Sequence, residues 1–536
     1  MNDLLNDDEF RDYLVDGFVV LEPSALGEDY HDFLYQKAES IYQLASAAKS
    51  KTAHLDIIGD NLRAQIPSID RLIEEPQVVR ALTSILGENY LIHPHNYVHK
   101  SGSADQGFHQ DGNLPWNERG HYRSHRPDWA ILFYYPQEVT LVNGPTEVLP
   151  GTQYWTIDCE KADDDWYRED ALDRSSDRDI LSNDDFALRD LQLEKEIRLL
   201  GVPDIRRRFL TLPKGSVVIC NYDIFHRGSR READGPGRYM FKFHFMRTQD
   251  PQKAAWNHRQ VSIDLSKVRR DLKPVISHLW DWSTANQSGK PFEVTEAAKL
   301  NATLLDGSEN QKIEAAYLLS QMDDSVAADY LIRALDHETE SIRRAACHGL
   351  RASKNVDIST LVKLTHSKRT GTRRMAVYAL GDSSYSSYED VVDAVIERLR
   401  LDPDDLVRSN SAYALGQLAR GAPKLSSDII DALIERLDKG IETNNTEIAL
   451  MPRSTVRQSV AYGLVQLAAN HSFSAGQIEK LVEAGLNDDD RYVQGLTVEA
   501  LRLMGEIQED TLSKILAILS RARLSPTPVG VNRPQF

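Results

Sequence analysis

What most restricts the fold of this 536-residue chain is a nine-residue template that recurs six times in its second half. The segments QKIEAAYLL (311–319), IRRAACHGL (342–350), TRRMAVYAL (372–380), VRSNSAYAL (407–415), VRQSVAYGL (456–464) and VQGLTVEAL (493–501) align without gaps. Most open on an apolar residue followed by Arg or Lys, carry small residues near the middle, and end on Leu. The terminal leucines stand 31, 30, 35, 49 and 37 residues apart, about the length of a helix pair. One such pair cannot bury its own apolar face, so the copies must stack, and the small residues let adjacent units approach closely. The pattern predicts an α-solenoid.

These units resemble HEAT repeats of the short type, over roughly residues 300–523. The run KGIETNNTEIALMPRS (439–454) between the fourth and fifth copies reads as a protruding insertion. The polar stretch TANQSGKPFE (284–293) reads as the domain boundary, and the Pro-rich tail at 524–536 as extended chain. We therefore divide the chain into 1–290, 291–523 and 524–536.

The first part has a different period. After helical stretches up to about residue 90, short β-rich runs appear: LIHPHNYVHK, WAILFYYP, FLTLP, GSVVICNY and RYMFKFHFM. Each is bounded by Gly, Pro or Asn, as strands of an antiparallel sheet or barrel are. The expectation is a multidomain protein, with an α+β domain built on a β core followed by an all-α solenoid.

Charge and cysteines narrow the functional class. Asp and Glu outnumber Lys and Arg by 81 to 63, a formal charge of −18, which opposes a nucleic-acid groove or an anionic membrane surface as main partner. Cys159, Cys220 and Cys347 are widely spaced, without CxxC, which argues against a disulfide framework and a thiolate zinc site. The N-terminus is acidic where a signal peptide is basic, and no apolar run reaches membrane-span length. The expected setting is soluble and cytoplasmic.

The chemistry is concentrated at GFHQDGNLPW (107–116). Two positions apart at a strand end, His109 and Asp111 can point at one cation and supply adjacent corners of an octahedron. A third ligand must come from elsewhere. His226 is the preferred candidate, at the end of an apolar strand and followed by Gly228 after one residue; His244 is the alternative. Twelve residues beyond His226, alternation places Arg238, Met240, Lys242 and His244 on one strand face and Tyr239, Phe241, Phe243 and Phe245 on the other. The aromatic face is suited to packing under helices, and Arg238 to holding a carboxylate in a cavity. His93, His95 and His99 read as packing or supporting residues, and His121 with His125 as part of a solvated loop.

HxD at 109–111, the distal His226, Arg238 and NGPTEVLPGTQYW (143–155), with the opening YLVDGFVVLEPSAL, together resemble the phytanoyl-CoA dioxygenase family of iron(II)/2-oxoglutarate-dependent oxygenases over about residues 8–250. The resemblance implies a double-stranded β-helix, the jelly-roll or cupin-like core. It implies Fe(II), 2-oxoglutarate and O2 as cofactor and co-substrates. His109, Asp111 and His226 would then be catalytic metal ligands, with Arg238 on the far carboxylate of 2-oxoglutarate and Asn96 as a further co-substrate contact. Two positions depart from the family pattern: Thr152 and Gln153 replace its usual Ser-His, and Gly228 stands where a hydroxyl is expected. A charged insertion occupies about 156–208.

The same resemblance implies oxidation of a C–H bond with release of succinate and CO2. Asp111 fills the corner that related halogenases open for halide, so hydroxylation is expected. Trp116, Arg123 and Arg126 lie in or just after the metal motif and are candidate contacts to a small polar or anionic substrate. The repeats would brace the catalytic domain, self-associate or bind a protein partner. Two other readings are a hydroxylase of protein- or carrier-bound substrates recruited by the repeats, and a non-catalytic scaffold.

Overall fold

The computed structural model describes residues 4–47, 62–111, 124–156, 186–200, 207–260, 262–286, 296–322, 325–354, 356–381, 389–420, 425–438, 455–488, 490–505 and 507–522. The insertion at 439–454, the tail from 524, most of the 284–293 boundary and much of the 156–208 insertion lie outside these residues.

The chain begins with α1 (Asp7–Asp16), started by a reciprocal capping box between Asn6 and Glu9 and stopped at Gly17, whose φ of 84° favours glycine. Strand β1 (Phe18–Leu21) follows, then α2 (Glu28–Ser46) and α3 (Pro76–Leu86), the last capped by the Glu75 carboxylate with Pro76 at its first position. The β region comprises β2 (Leu91–Lys100), β3 (Trp129–Tyr134), β4 (Thr146–Val148), β5 (Arg208–Phe209), β6 (Val217–Asn221), β7 (His226–Gly228) and β8 (Tyr239–Met246), with α4 (Phe186–Leu199) before β5. They form two antiparallel sheets, ordered β1-β6-β3-β8-β2 and β5-β4-β7. The expected strand over FLTLP shrinks to Arg208–Phe209 plus a bridge from Leu212 to Val139, because Pro213 has no N–H to continue a ladder.

The predicted alternation of β8 is present. Tyr239, Phe241, Phe243 and Phe245 join the buried cluster formed with α2 and α3, Tyr239 lying 5.1 Å from Tyr35 and 5.7 Å from Tyr42. Each fully buried ring of this kind stabilises the fold by roughly 1.5–3 kcal/mol. Opposite β8, strand β2 bulges: Ile92 pairs with Phe245 and Asn96 with Phe243, so His93, Pro94 and His95 together oppose His244 alone. Pro94, with no N–H to give, suits a bulge.

After α5 (Lys273–Ser283) come α6 (Ala297–Asp306), α7 (Glu309–Ser320), α8 (Ser325–Ala334), α9 (Glu340–Ala352), α10 (Ile358–Leu364), α11 (Thr370–Gly381), α12 (Glu389–Leu401), α13 (Asp405–Ala419), α14 (Ser426–Asp438), α15 (Thr455–Ala468), α16 (Ala475–Leu486), α17 (Arg491–Leu503) and α18 (Glu509–Ala522). They stack in two rows, and the row α7, α9, α11, α13, α15, α17 carries all six template copies. The small residues do what the template predicts: a Cβ on Gly416 of α13 would lie 2.8 Å from the Gly463 Cα of α15. The seventh template position stacks as a ladder, His348 to Tyr378 at 5.9 Å, Tyr378 to Tyr413 at 6.4 Å and Tyr413 to Tyr462 at 5.2 Å. No helix among the described residues is long and apolar enough to cross a membrane.

This inner row rests on one end of the β region. Tyr462 packs on Trp129 at 5.4 Å, and the Tyr317 hydroxyl lies 2.8 Å from His125 Nδ1. Asn310 accepts from Trp155 Nε1 at 2.9 Å, while Gln466 and Asn470 donate to the carbonyls of Arg247 and Thr248. Register identifies the end that is covered. Leu91 and Trp129 both pair with Met246, whereas Lys100 pairs with Tyr239, so Arg238 begins the opposite end of the sheet.

Candidate metal centre

His109 and His226 are tied together by backbone first. Each N–H donates to the other's carbonyl at 3.0 Å, which sets the two imidazoles 4.7 Å apart and extends the smaller sheet by one bridge. Asp111, two residues on, projects from the same side of the chain. One candidate ligand atom from each of His109, Asp111 and His226 lies within 4.8 Å of the others, the single such trio among the described residues. The preference for His226 over His244 as third ligand agrees with this grouping.

The imidazoles are pre-oriented as ligands. His109 Nδ1 lies 2.8 Å from the Gly107 carbonyl and His226 Nδ1 lies 3.1 Å from that of Ile224. A carbonyl only accepts, so each Nδ1 holds the proton and each Nε2 presents its lone pair. Burial, above all, pushes the His226 pKa down to about 3, keeping the ring neutral. Burial alone would raise the Asp111 pKa, but the Lys242 ammonium outweighs it and holds the carboxyl well below its usual range. The Lys242 Nζ is 2.6 Å from Asp111 Oδ2, and the Nε2 atoms of His226 and His244 are each 3.9 Å from that oxygen.

Surrounding bonds fix the motif. Gln110 Nε2 donates to the Asp223 carbonyl at 2.6 Å, and Gly228 N donates to Gln106 Oε1 at 2.9 Å. Arg227, clamped to Glu147 at 2.9 Å, lies over the Phe108 ring. Ser229 does not supply the hydroxyl missing at Gly228, because its Oγ donates to Glu147 at 2.7 Å.

Arg238 is only 3% exposed, yet its Nε and Nη1 have no hydrogen-bond partner among the described residues. Its guanidinium faces the Tyr135 ring at 5.9 Å, and burial lowers its pKa against the opposing pull of Tyr135 and Tyr42. A Cβ added to Gly228 would stand 3.6 Å from Arg238 Nη2, which places this cation beside β7, two residues from His226. Two residues of strand span about 7 Å, within the reach of a five-carbon diacid.

The other sequence candidates are not gathered here. Asn96 pairs with Phe243, so it shares that residue's helix-facing side; its Oδ1 accepts from Leu62 N and its Nδ2 donates to the Pro94 carbonyl. Arg126 lies 5.0 Å over the Trp282 ring of α5, and Trp116 and Arg123 fall outside the described residues. Lys242 and His244 were placed on the correct face by alternation, but their approach to Asp111 was not foreseen. The available signal was a lysine inside an otherwise apolar strand, since Lys is almost never buried without a partner.

The description of HEAT repeats matches residues 297–381 and 358–451. No curated protein matches the sequence. Among solved structures, EctD from S. alaskensis with 2-oxoglutarate and 5-hydroxyectoine is similar, at 16% identity and TM-score 0.32 over 55% of this chain and 87% of that one. A non-heme monooxygenase, ThoJ in complex with nickel, is similar at 14% identity and TM-score 0.29 over 57% of this chain and 97% of that one. The 2-oxoglutarate-dependent carbocyclase SnoK from nogalamycin biosynthesis is similar at 15% identity and TM-score 0.30 over 46% of this chain and 85% of that one.

Proposed function

We propose that this chain is an iron(II)- and 2-oxoglutarate-dependent oxygenase that hydroxylates a small polar or anionic molecule. The observation that carries the reading is the pairing of two features: two imidazole lone pairs and a carboxylate converging within 4.8 Å, and a buried guanidinium lacking its anion nearby. The residues fit the groups. A 2-His-1-carboxylate set suits ferrous iron and leaves three positions for ligands, and an unpartnered buried cation calls for a carboxylate. The order of the two sheets, with His109 extending the smaller one, supports a double-stranded β-helix of the phytanoyl-CoA dioxygenase type.

When bound, iron, 2-oxoglutarate and O2 supply an oxidant able to cleave a C–H bond, with succinate and CO2 as co-products. The protein's own contribution is placement. His109 and His226 present fixed Nε2 atoms, and Asp111 completes the face and occupies the corner a halide would need, which favours hydroxylation. Lys242 engages Asp111 Oδ2 at 2.6 Å and holds the carboxylate in place. Arg238 orients the diacid by its far end, and the fully buried Tyr135 ring that it faces keeps water from that end. The inner row of the solenoid is already engaged with the β region, which favours bracing over recruitment of a protein substrate.

The test is anaerobic addition of Fe(II) and 2-oxoglutarate. A weak visible charge-transfer band is expected from the wild type and not from Asp111→Ala. Absence of the band in the wild type, with both ligands present in excess, would refute the assignment.

A further inference from the structure

At the His93–His95 bulge, opposite His244, the solenoid touches strand β2. On the solenoid side, α17 meets it with two residues: the Tyr492 hydroxyl lies 2.5 Å from His95 Nδ1, and Gly495 sits so close that an added Cβ would be 2.9 Å from the Pro94 ring. Tyr492 also flanks His93 at 5.6 Å. On the other side, the His95 carbonyl accepts from His244 Nδ1 at 3.1 Å. That bond fixes the tautomer of His244, so its Nε2 carries a lone pair, and this fully buried atom faces Asp111 Oδ2 at 3.9 Å with no donor of its own. His244 therefore cannot draw the Asp111 carboxylate toward itself, and Lys242 Nζ, 2.6 Å away, is left to hold Oδ2.

We propose that Tyr492 of the solenoid is a positioning residue for the metal centre, acting through the His93–His95 bulge and His244 on the orientation of Asp111. A bulge gives up ladder hydrogen bonds and needs an external support to hold one conformation. Here the support comes from the repeat domain: a phenol hydrogen-bonds to one imidazole, and a glycine allows the Pro94 ring to seat. The repeats then complete a centre whose ligands all lie in the β domain. This rests on the reading of His109, Asp111 and His226 as metal ligands.

The test uses the full chain and Co(II), titrated by calorimetry and by its visible d–d spectrum, which reports ligand geometry. Tyr492→Phe removes only the hydroxyl, and Gly495→Ala pushes on Pro94. Asn470→Ala breaks another solenoid contact, to the Thr248 carbonyl, away from the bulge. Loss of a supporting bond behind a metal ligand typically weakens affinity about 10- to 100-fold, so a Co(II) affinity lower by about ten-fold, with a changed d–d spectrum, is expected for Tyr492→Phe. Gly495→Ala should shift both in the same direction, and Asn470→Ala neither. Wild-type affinity and spectrum in Tyr492→Phe, or an equal loss in Asn470→Ala, would overturn the proposal. If the wild type bound no Co(II), this proposal and the metal-centre reading would fall together. If Co(II) bound and responded to Tyr492→Phe but 2-oxoglutarate gave no chelate band with Fe(II), only the oxygenase assignment would fall.

Discussion

Replacing Arg238 by Met should move function and stability in opposite directions. The guanidinium is 3% exposed, with Nε and Nη1 unpartnered and no carboxylate bonded to it among the described residues. In the protein without co-substrate its desolvation is uncompensated, and a well-packed apolar residue of similar volume in place of buried charge is neutral or stabilising by about 1–4 kcal/mol. With co-substrate the balance reverses. Truncating one partner of a buried, hydrogen-bonded charge pair costs about 2–5 kcal/mol, and a mid-range loss near 3 kcal/mol weakens binding roughly 100-fold at about 1.4 kcal/mol per decade. Calorimetric titration of 2-oxoglutarate into the Mn(II)-loaded protein measures the second quantity, and scanning calorimetry of the metal-free protein the first. Arg238→Met should raise the Kd for 2-oxoglutarate about two orders of magnitude while leaving the unfolding midpoint equal or higher. An unchanged Kd, or a lowered midpoint, would mean that Arg238 is a structural cation whose counter-charge lies within the protein.

Three further outcomes test the architecture. Burial would raise the Asp7 pKa, but bonds from Trp256, His258 and the N–H groups of Arg259 and Gln260 outweigh it and depress it. A depressed carboxyl contributes stability above its unfolded pKa and loses it as pH falls through the folded value. Asp7→Asn should therefore cost about 2 kcal/mol at neutral pH and little in acid below about pH 3, read by urea melts at both pH values; an equal cost at both would exclude the charge. Gly416→Ala drives a Cβ toward Gly463 and should destabilise by about 1–3 kcal/mol, and a neutral result in thermal melts would contradict the close packing of α13 on α15. Arg420 holds Asp250 at 2.7 Å and lies 3.7 Å from Asp128, with its side chain 3% exposed. Arg420→Met takes the 2.7 Å partner from the 41% exposed Asp250 and leaves buried Asp128 with Ser124 Oγ at 2.9 Å and Arg247 at 4.0 Å, so it should cost about 1–3 kcal/mol, lowering the unfolding midpoint in calorimetry; a wild-type midpoint would remove the pair from the junction's energetics.

The parts legible in the sequence were those governed by local period. The template marked six helices because small residues at fixed offsets have no other purpose on a buried face. The faces of β8 followed from strict alternation between Arg238 and Phe245. The metal trio was legible because HxD and a distal His at a strand end are chemically restrictive. What escaped depends on register and on contacts hundreds of residues apart. LIHPHNYVHK reads as one regular strand, yet the run at 93–95 bulges, so everything before it is displaced relative to β8. Asn96 consequently faces Phe243 and the helices, and no count of residues back from His109 reveals that. The approach of Lys242 to Asp111 is likewise a tertiary fact, since 131 positions separate them, although a lysine between phenylalanines was a visible anomaly.

Why the two halves act as one body follows from the chemistry of their junction. Trp155, Thr156, His125, His95 and Asp128 are all nearly inaccessible, and each is a polar or amphipathic group at the end of a β structure, where water would otherwise reach it. Their partners are Asn310, Glu309 and Tyr317 of α7, Tyr492 of α17, and Arg420 at the C-terminal end of α13. A hydrogen bond made on folding adds only about 0.5–1.5 kcal/mol, but a buried polar group left without its partner costs about 1–3 kcal/mol. Swinging the solenoid away would break many such bonds together, with dry polar groups abandoned on both sides until water replaced them. Such a junction behaves as a shared core and not as a hinge. The repeats are thus held against the end of the sheet nearest His244.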